Sequence, residues 1–161
     1  MAQPILADIA DALVATLNGG TFETSFESAR SYGAWDERLA SFDKLQVDVV
    51  PVTVPVQEDQ GLATRDSVKF DYSFDVIVRK RFGANDQGVT GSIPNSKIDP
   101  LVRLTEQIVT FVPMQFLDGY DEAIWQSTKL RFVAYRKHLR EWHQYTGLVR
   151  VAYAVMRDVG T

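Results

Sequence analysis

The chain has 161 residues, 45% of them hydrophobic and 24% charged, a length that fits one domain burying roughly two-thirds of its unfolded surface. That composition argues against disorder, and the absence of cysteine excludes a disulfide framework, a thiolate metal site and a cysteine nucleophile. The formal net charge of −4 lacks the basic excess usual in nucleic-acid binders, and no apolar run approaches the roughly 20 residues needed to cross a bilayer.

The charge is unevenly placed. Residues 1–80 carry 13 acidic and 7 basic side chains, whereas residues 81–161 carry 8 and 10. Such asymmetry suits subunits that meet acid to base, and it is also compatible with an ordinary mixed surface. Asp8 and Asp11, with no basic leader before them, argue against a signal peptide at the N-terminus.

The first predicted element is a helix starting near Gln3-Pro4, because proline is tolerated in a first helical turn. Ile5, Leu6, Ile9, Leu13 and Leu17 recur at helical spacing. Gly19-Gly20 ends it, since glycine accepts the left-handed conformation common just past a helix. An extended segment from Thr21 to Tyr32 and a connection from Gly33 to Asp43 follow. Leu45 to Val56 is rich in valine and reads as a strand. Pro51 and Pro55 cannot donate to a ladder, so the expected strand is an edge or is bulged.

Val68, Phe70, Tyr72, Phe74, Val76 and Val78 alternate with Lys69, Asp71, Ser73, Asp75, Ile77 and Arg79. This alternation predicts one buried and one wet face in an antiparallel sheet. A loop is expected from Gly83 to Asn95, then a second helix capped by Asp99 with Pro100 in its first position. Leu101, Leu104, Ile108, Phe111 and Gln115 trace one face of that helix, and Pro113 should end or kink it. After a turn at Leu117–Tyr120, Lys129 to Lys137 and Trp142 to Met156 read as extended. The expected order is α-β-β-β-α-β-β: a single α+β domain over 1–161, with two helices on one face of a mainly antiparallel sheet.

Few residues carry recognisable chemistry. His138 and His143 are five apart, a spacing that fits neither two ligands on a helix face nor two on a strand face. They are expected to be polar surface or interface residues. The carboxylate pairs Asp36-Glu37, Glu58-Asp59 and Asp121-Glu122 fall in connections and are expected to be solvated. No phosphate-binding glycine loop or nucleophile elbow occurs. The reading is of a chain that is not an enzyme, with no cofactor and no metal.

The positive signal is basic and aromatic. Arg79, Lys80 and Arg81 close the third strand, while Arg131, Tyr135, Arg136, Lys137, Arg140 and Trp142 gather near the next-to-last one. These nine are the candidate interface residues. Such residues stack on nucleic-acid bases, anchor protein interfaces, or keep a sheet rim soluble.

Taken together, Leu17-Asn18-Gly19-Gly20-Thr21-Phe22, Val47-Asp48-Val49-Val50-Pro51, Phe70-Asp71-Tyr72 running to Arg79-Lys80-Arg81, Ile98-Asp99-Pro100-Leu101, Trp125 and His138 through Thr146 resemble the tail terminator (tail completion, neck) proteins of long-tailed bacteriophages. The resemblance spans nearly the whole chain. It implies a virion protein made in the host cytoplasm, with no membrane association, that forms a homo-oligomeric ring, usually a hexamer. Such a ring caps the tail tube protein, terminates polymerisation and meets head–tail connector or stopper proteins, while DNA passes through the lumen without specific binding. A connector or stopper ring is the neighbouring alternative, and a small nucleic-acid or ligand-binding module is the alternative from another class.

Overall fold

A computed structural model describes residues 6–52, 67–88, 91–117, 119–120 and 122–158. The start expected at Gln3-Pro4, Pro55 and the pair Glu58-Asp59 lie outside the described residues, as does Asp121. The chain is α+β. Helix α1 spans Leu6–Asn18, followed by strands β1 (Ser28–Arg30), β2 (Gln46–Pro51) and β3 (Ser67–Arg81). Helix α2 (Asn95–Phe111) leads to β4 (Ile124–Phe132), then to a short helix α3 (Arg136–Trp142) and to β5 (Gln144–Asp158). The five strands form one sheet in the order β1-β2-β3-β5-β4, antiparallel except for the β1–β2 pair.

The sheet is built around the alternating strand. β3 and β5 are each 15 residues long and pair along their whole length, from Ser67↔Asp158 to Arg81↔Gln144. Phe74, Val76 and Val78 on β3 meet Tyr145, Val149, Val151 and Tyr153 on β5, and all are buried on one face. Helix α1 covers that face over β1 and β2, and α2 covers it over β5 and β4. The helical stripe falls inward as periodicity predicts: Ile9, Leu13 and Leu17 from α1, and Leu101, Leu104 and Ile108 from α2.

Several expectations need correction. β3 does not have a wet second face throughout, because Asp75, Ile77 and Arg79 are buried there. The supposed connection from Gly33 to Asp43 lies across that face and shields it, as Leu39 N–H donates to Gln144 and Arg81 donates to the Leu39 carbonyl. β2 is internal rather than an edge. Its proline is accommodated because Val52 N–H bonds Ser73, so the alternating Pro51 nitrogen points the other way. There β1 has already ended, its last pair being Arg30↔Val49.

α2 begins at Asn95, not at Pro100, which lies inside it as its sixth residue. It does end before Pro113, passing into a 3-10 turn at Val112–Met114. Gly19 and Gly20 end α1 without a left-handed backbone. Gly20 is instead a close approach: a Cβ there would sit 2.7 Å from the Phe111 ring and 2.8 Å from that of Phe22. The stretch 129–137 is not one strand. β4 stops at Phe132, and Arg136 to Trp142 turns into α3, which closes at His143 in the left-handed conformation with φ 51°.

Candidate functional site

The second face of the sheet divides in two. Toward the Arg81–Gln144 end it carries a compact polar and aromatic layer. Trp35 from the 33–43 segment packs among Phe132, Tyr135 and His138 in tilted and edge-on contacts, with ring centroids 4.9–5.7 Å apart. His138 and Trp142 are four residues apart on α3, so they lie one turn apart on the same side. Their rings stack at 4.3 Å. Beneath them Gln144 donates to the Glu37 carbonyl at 3.1 Å and to Thr146 Oγ1 at 3.1 Å, and Thr146 Oγ1 lies 2.7 Å from His138 Nδ1. One β5 side chain thus ties the 33–43 segment to the sheet.

His138 is therefore buried, 2% exposed, and not the surface residue its sequence context suggests. Burial holds its pKa below the usual histidine value. Asp36 opposes that shift, and Arg79 and Lys137 reinforce it. His143 faces elsewhere, with Nδ1 3.1 Å from the Gln87 amide. The five-residue spacing sends the two imidazoles to different environments. Among the described residues no three His, Cys, Asp or Glu side chains converge as a metal site.

The nine candidate interface residues separate into two groups. Arg79 is only 4% exposed and bonds Asp48 at 2.6 Å and the Ala34 carbonyl at 3.3 Å, so it is a structural residue of the monomer and not an interface one. Arg81 is half-buried, with its guanidinium 4.1 Å from the Phe42 ring centroid. Lys80 lies over Phe82 at 5.6 Å. Tyr135 and Trp142 are half-buried members of the aromatic layer.

Arg131, Arg136, Lys137 and Arg140 are exposed. Tyr135, Arg136, Lys137, Arg140 and Glu141 line an open groove of about 730 Å³. The structure therefore groups Tyr135 with the α3 candidates Arg136, Lys137 and Arg140, while Arg79 of β3 is set apart by burial.

A larger surface feature escaped the sequence reading. Among the described residues eight large hydrophobic side chains are exposed, and six of them, Met114, Phe116, Ile124, Trp125, Leu130 and Met156, are on β4, on its neighbour β5 or in the segment between α2 and β4. Trp125 pairs with Tyr153 and Leu130 with Val149, so both are on the helix-covered face, yet both remain exposed. The Val112–Met114 turn contacts β4, bringing Met114 there, 78% exposed, with Phe116 two residues further on at 84%. Ile124 pairs with Ala154 on the other face, where Met156 follows two residues later. The sequence signal was weak because β4 alternates imperfectly: its register shifts between Trp125 and Ser127 and again between Leu130 and Phe132.

The other half of the second face carries small side chains, Ser73, Ala152 and Ala154, beside the Asp75–Arg150 pair at 2.8 Å. Asp36, Glu37 and Glu122 are exposed, as their loop positions led one to expect. No described helix is long and apolar enough to cross a membrane. No protein-family model matches the chain, and no curated protein matches it.

Proposed function

We propose that the chain is a structural subunit that works by docking on other protein surfaces, and specifically a tail terminator ring protein of a bacteriophage neck. The observation that carries the docking reading is the apolar strip around β4, where six of the eight large hydrophobic side chains exposed among the described residues gather on the two faces of one sheet edge. Scattered exposed apolar residues are ordinary on a soluble protein, whereas their concentration at one edge supports an interaction surface. The neck assignment rests on the resemblance of the sequence pattern to tail terminators. In this role the chain forms a homo-oligomeric ring, a hexamer, that caps the tail tube, stops its polymerisation and offers its other side to the head connector.

Native mass spectrometry and electron microscopy of the purified protein test the proposal. A ring that binds tail tubes is expected; a monomer that leaves tubes free to polymerise would sink it. Binding to portal-side rings in preference to tube subunits would assign the chain to the connector or stopper position instead. A nucleic-acid-binding role is favoured only by the exposed Arg131, Arg136, Lys137 and Arg140. It requires DNA affinity that falls steeply with salt and weakens when Arg136 or Lys137 is changed.

A further inference from the structure

We infer that the 33–43 segment is an acid-released strap: a proton taken up by His138 breaks the buried hydrogen-bond chain that fastens the segment to β5, and the segment opens while the β3–β5 sheet stays folded. The inference is independent of the neck assignment and of any assembly.

The hydrogen-bond chain runs in one direction only. Leu39 N–H donates to Gln144 Oε1 at 2.8 Å, and Gln144 Nε2 donates to the Glu37 carbonyl and to Thr146 Oγ1, both at 3.1 Å. A backbone N–H can only donate and a carbonyl can only accept, so the Gln144 amide cannot be turned the other way. Thr146 Oγ1 therefore accepts from Gln144, and among the described residues its own hydrogen has His138 Nδ1, 2.7 Å away, as its acceptor. His138 is thus neutral, with Nδ1 accepting and its proton on Nε2.

A proton on Nδ1 turns that acceptor into a donor. Two hydrogens then confront each other across the 2.7 Å contact, and the Thr146 hydroxyl, on a residue 0% exposed, loses its acceptor. An unpaired buried donor beside a buried charge is costly, and water reaching the site relieves both. Of the rings in contact with His138, Tyr135 and Trp142 lie next to α3 or on it, whereas Trp35 belongs to the strap, which has no helix or strand. Trp35 is the cover that can move without unwinding an element.

The charged groups around the ring set where this happens. Burial opposes the charged form most, and Arg79 from β3 and Lys137 from α3 add to it, while Asp36 from the strap and Glu141 from α3 favour the charge. From β5 the ring meets the neutral Thr146, with the neutral Gln144 behind it. His138 therefore protonates below its ordinary value of about 6.5.

The strap has few other ties. Arg79 donates to the Ala34 carbonyl at 3.3 Å, Arg81 to the Leu39 carbonyl at 3.0 Å, and Asp43 N–H to the Arg81 carbonyl at 2.7 Å. β3 and β5, in contrast, pair along all 15 residues and pack their other face on α1 and α2. A segment so much more lightly held opens on its own. Opening uncovers part of the second sheet face, where Ile77 and Leu148 pair and are 1% and 3% exposed.

Two measurements on the full chain test the inference. The chain has two histidines, so nitrogen NMR resolves their rings separately, with His138→Gln assigning the signals. At neutral pH His138 is expected to carry its proton on Nε2; a ring protonated on Nδ1 would overturn the inference. Hydrogen exchange read by mass spectrometry then follows wild type, His138→Gln and Asp36→Asn over a pH series, corrected for intrinsic exchange. Between about pH 7.5 and about pH 4.5, protection of the 33–43 amides in wild type is expected to fall about tenfold or more, while β3 and β5 keep theirs. In His138→Gln the strap should respond to pH no more than the sheet does. Asp36→Asn, at an exposed position, should move the opening to lower pH, because it removes a charge that favours protonation.

A strap that stays protected throughout, or that loses protection together with the sheet, would overturn the inference. So would an opening midpoint unmoved by Asp36→Asn, which decides the matter even where His138→Gln fails to fold.

Discussion

Replacing Arg79 by methionine should be among the most damaging single changes to the described part of this protein. Its guanidinium and the Asp48 carboxylate are 2.6 Å apart, with each side chain only 5% exposed. Methionine keeps most of the volume and removes the charge, leaving Asp48 in a nearly dry site with the Gln46 amide at 3.1 Å as its remaining partner. Breaking one half of a buried pair in this way costs about 3–5 kcal/mol. Arg79 Nε has no hydrogen-bond partner among the described residues. The intact pair is thus imperfectly satisfied, which places the expected loss near the lower figure, about 3 kcal/mol.

For a domain of this length, about 3 kcal/mol lowers the melting temperature by roughly 6–12 °C. Urea unfolding should show the midpoint falling with the slope unchanged. The double variant Arg79→Met/Asp48→Leu should recover most of the loss, because an apolar pair of similar volume replaces a buried ion pair at little cost. The exposed Arg136→Ala should change stability by less than about 0.5 kcal/mol. An Arg79→Met protein within about 1 kcal/mol of wild type, or a double variant as unstable as the sum of the singles, would refute a structural role for this arginine.

The remaining predictions concern the two layers of the core. At Gly147 a Cβ would meet Thr105 Oγ1 at 2.8 Å, the Tyr145 hydroxyl at 2.9 Å and the Val133 carbonyl at 3.0 Å. Gly147→Ala should therefore cost about 1–3 kcal/mol by overpacking, and an unchanged melting temperature would show that α2 is not held as closely as described. Tyr145→Phe removes the hydroxyl that donates to the Val133 carbonyl and lies 2.8 Å from Thr105 Oγ1; a loss of about 1–2 kcal/mol in urea unfolding is expected. His138 has its pKa lowered in the fold, chiefly by burial, so its contribution is complete above its unfolded pKa of about 6.5 and is lost as pH falls through the folded value. Stability measured between pH 7.5 and 5 should decline more steeply in wild type than in His138→Gln; parallel profiles would remove His138 from the account.

Much of the fold was legible in the residues because it depends on period. The alternation of β3 and the helical stripes of α1 and α2 each declare an apolar side, and the structure places those sides against one another, although β3 is also buried in part on its other face. The turn at Leu117–Tyr120 was legible from Gly119, whose φ is 82°. α3 was not legible: seven residues are too few for a periodic signal, and Tyr135 to Trp142 reads equally well as a strand rich in aromatic and basic side chains. Nor did Gly19-Gly20 declare its reason, since the need at Gly20 comes from the ring of Phe111, 91 residues away.

By itself the sequence determined the α+β class, the dominant strand pair's inward face, and the concentration of basic residues in the second half. Those properties follow from local periodicity and composition. Only the tertiary structure decided which polar residues are buried and which apolar ones are left outside. Arg79 looked like part of a basic cluster until Asp48 and the 33–43 segment enclosed it. Trp125 and Leu130 lie on the helix-covered face of β4 and are nonetheless exposed. Burial is a property of what comes to lie on a residue from elsewhere in the chain, and no local pattern encodes that.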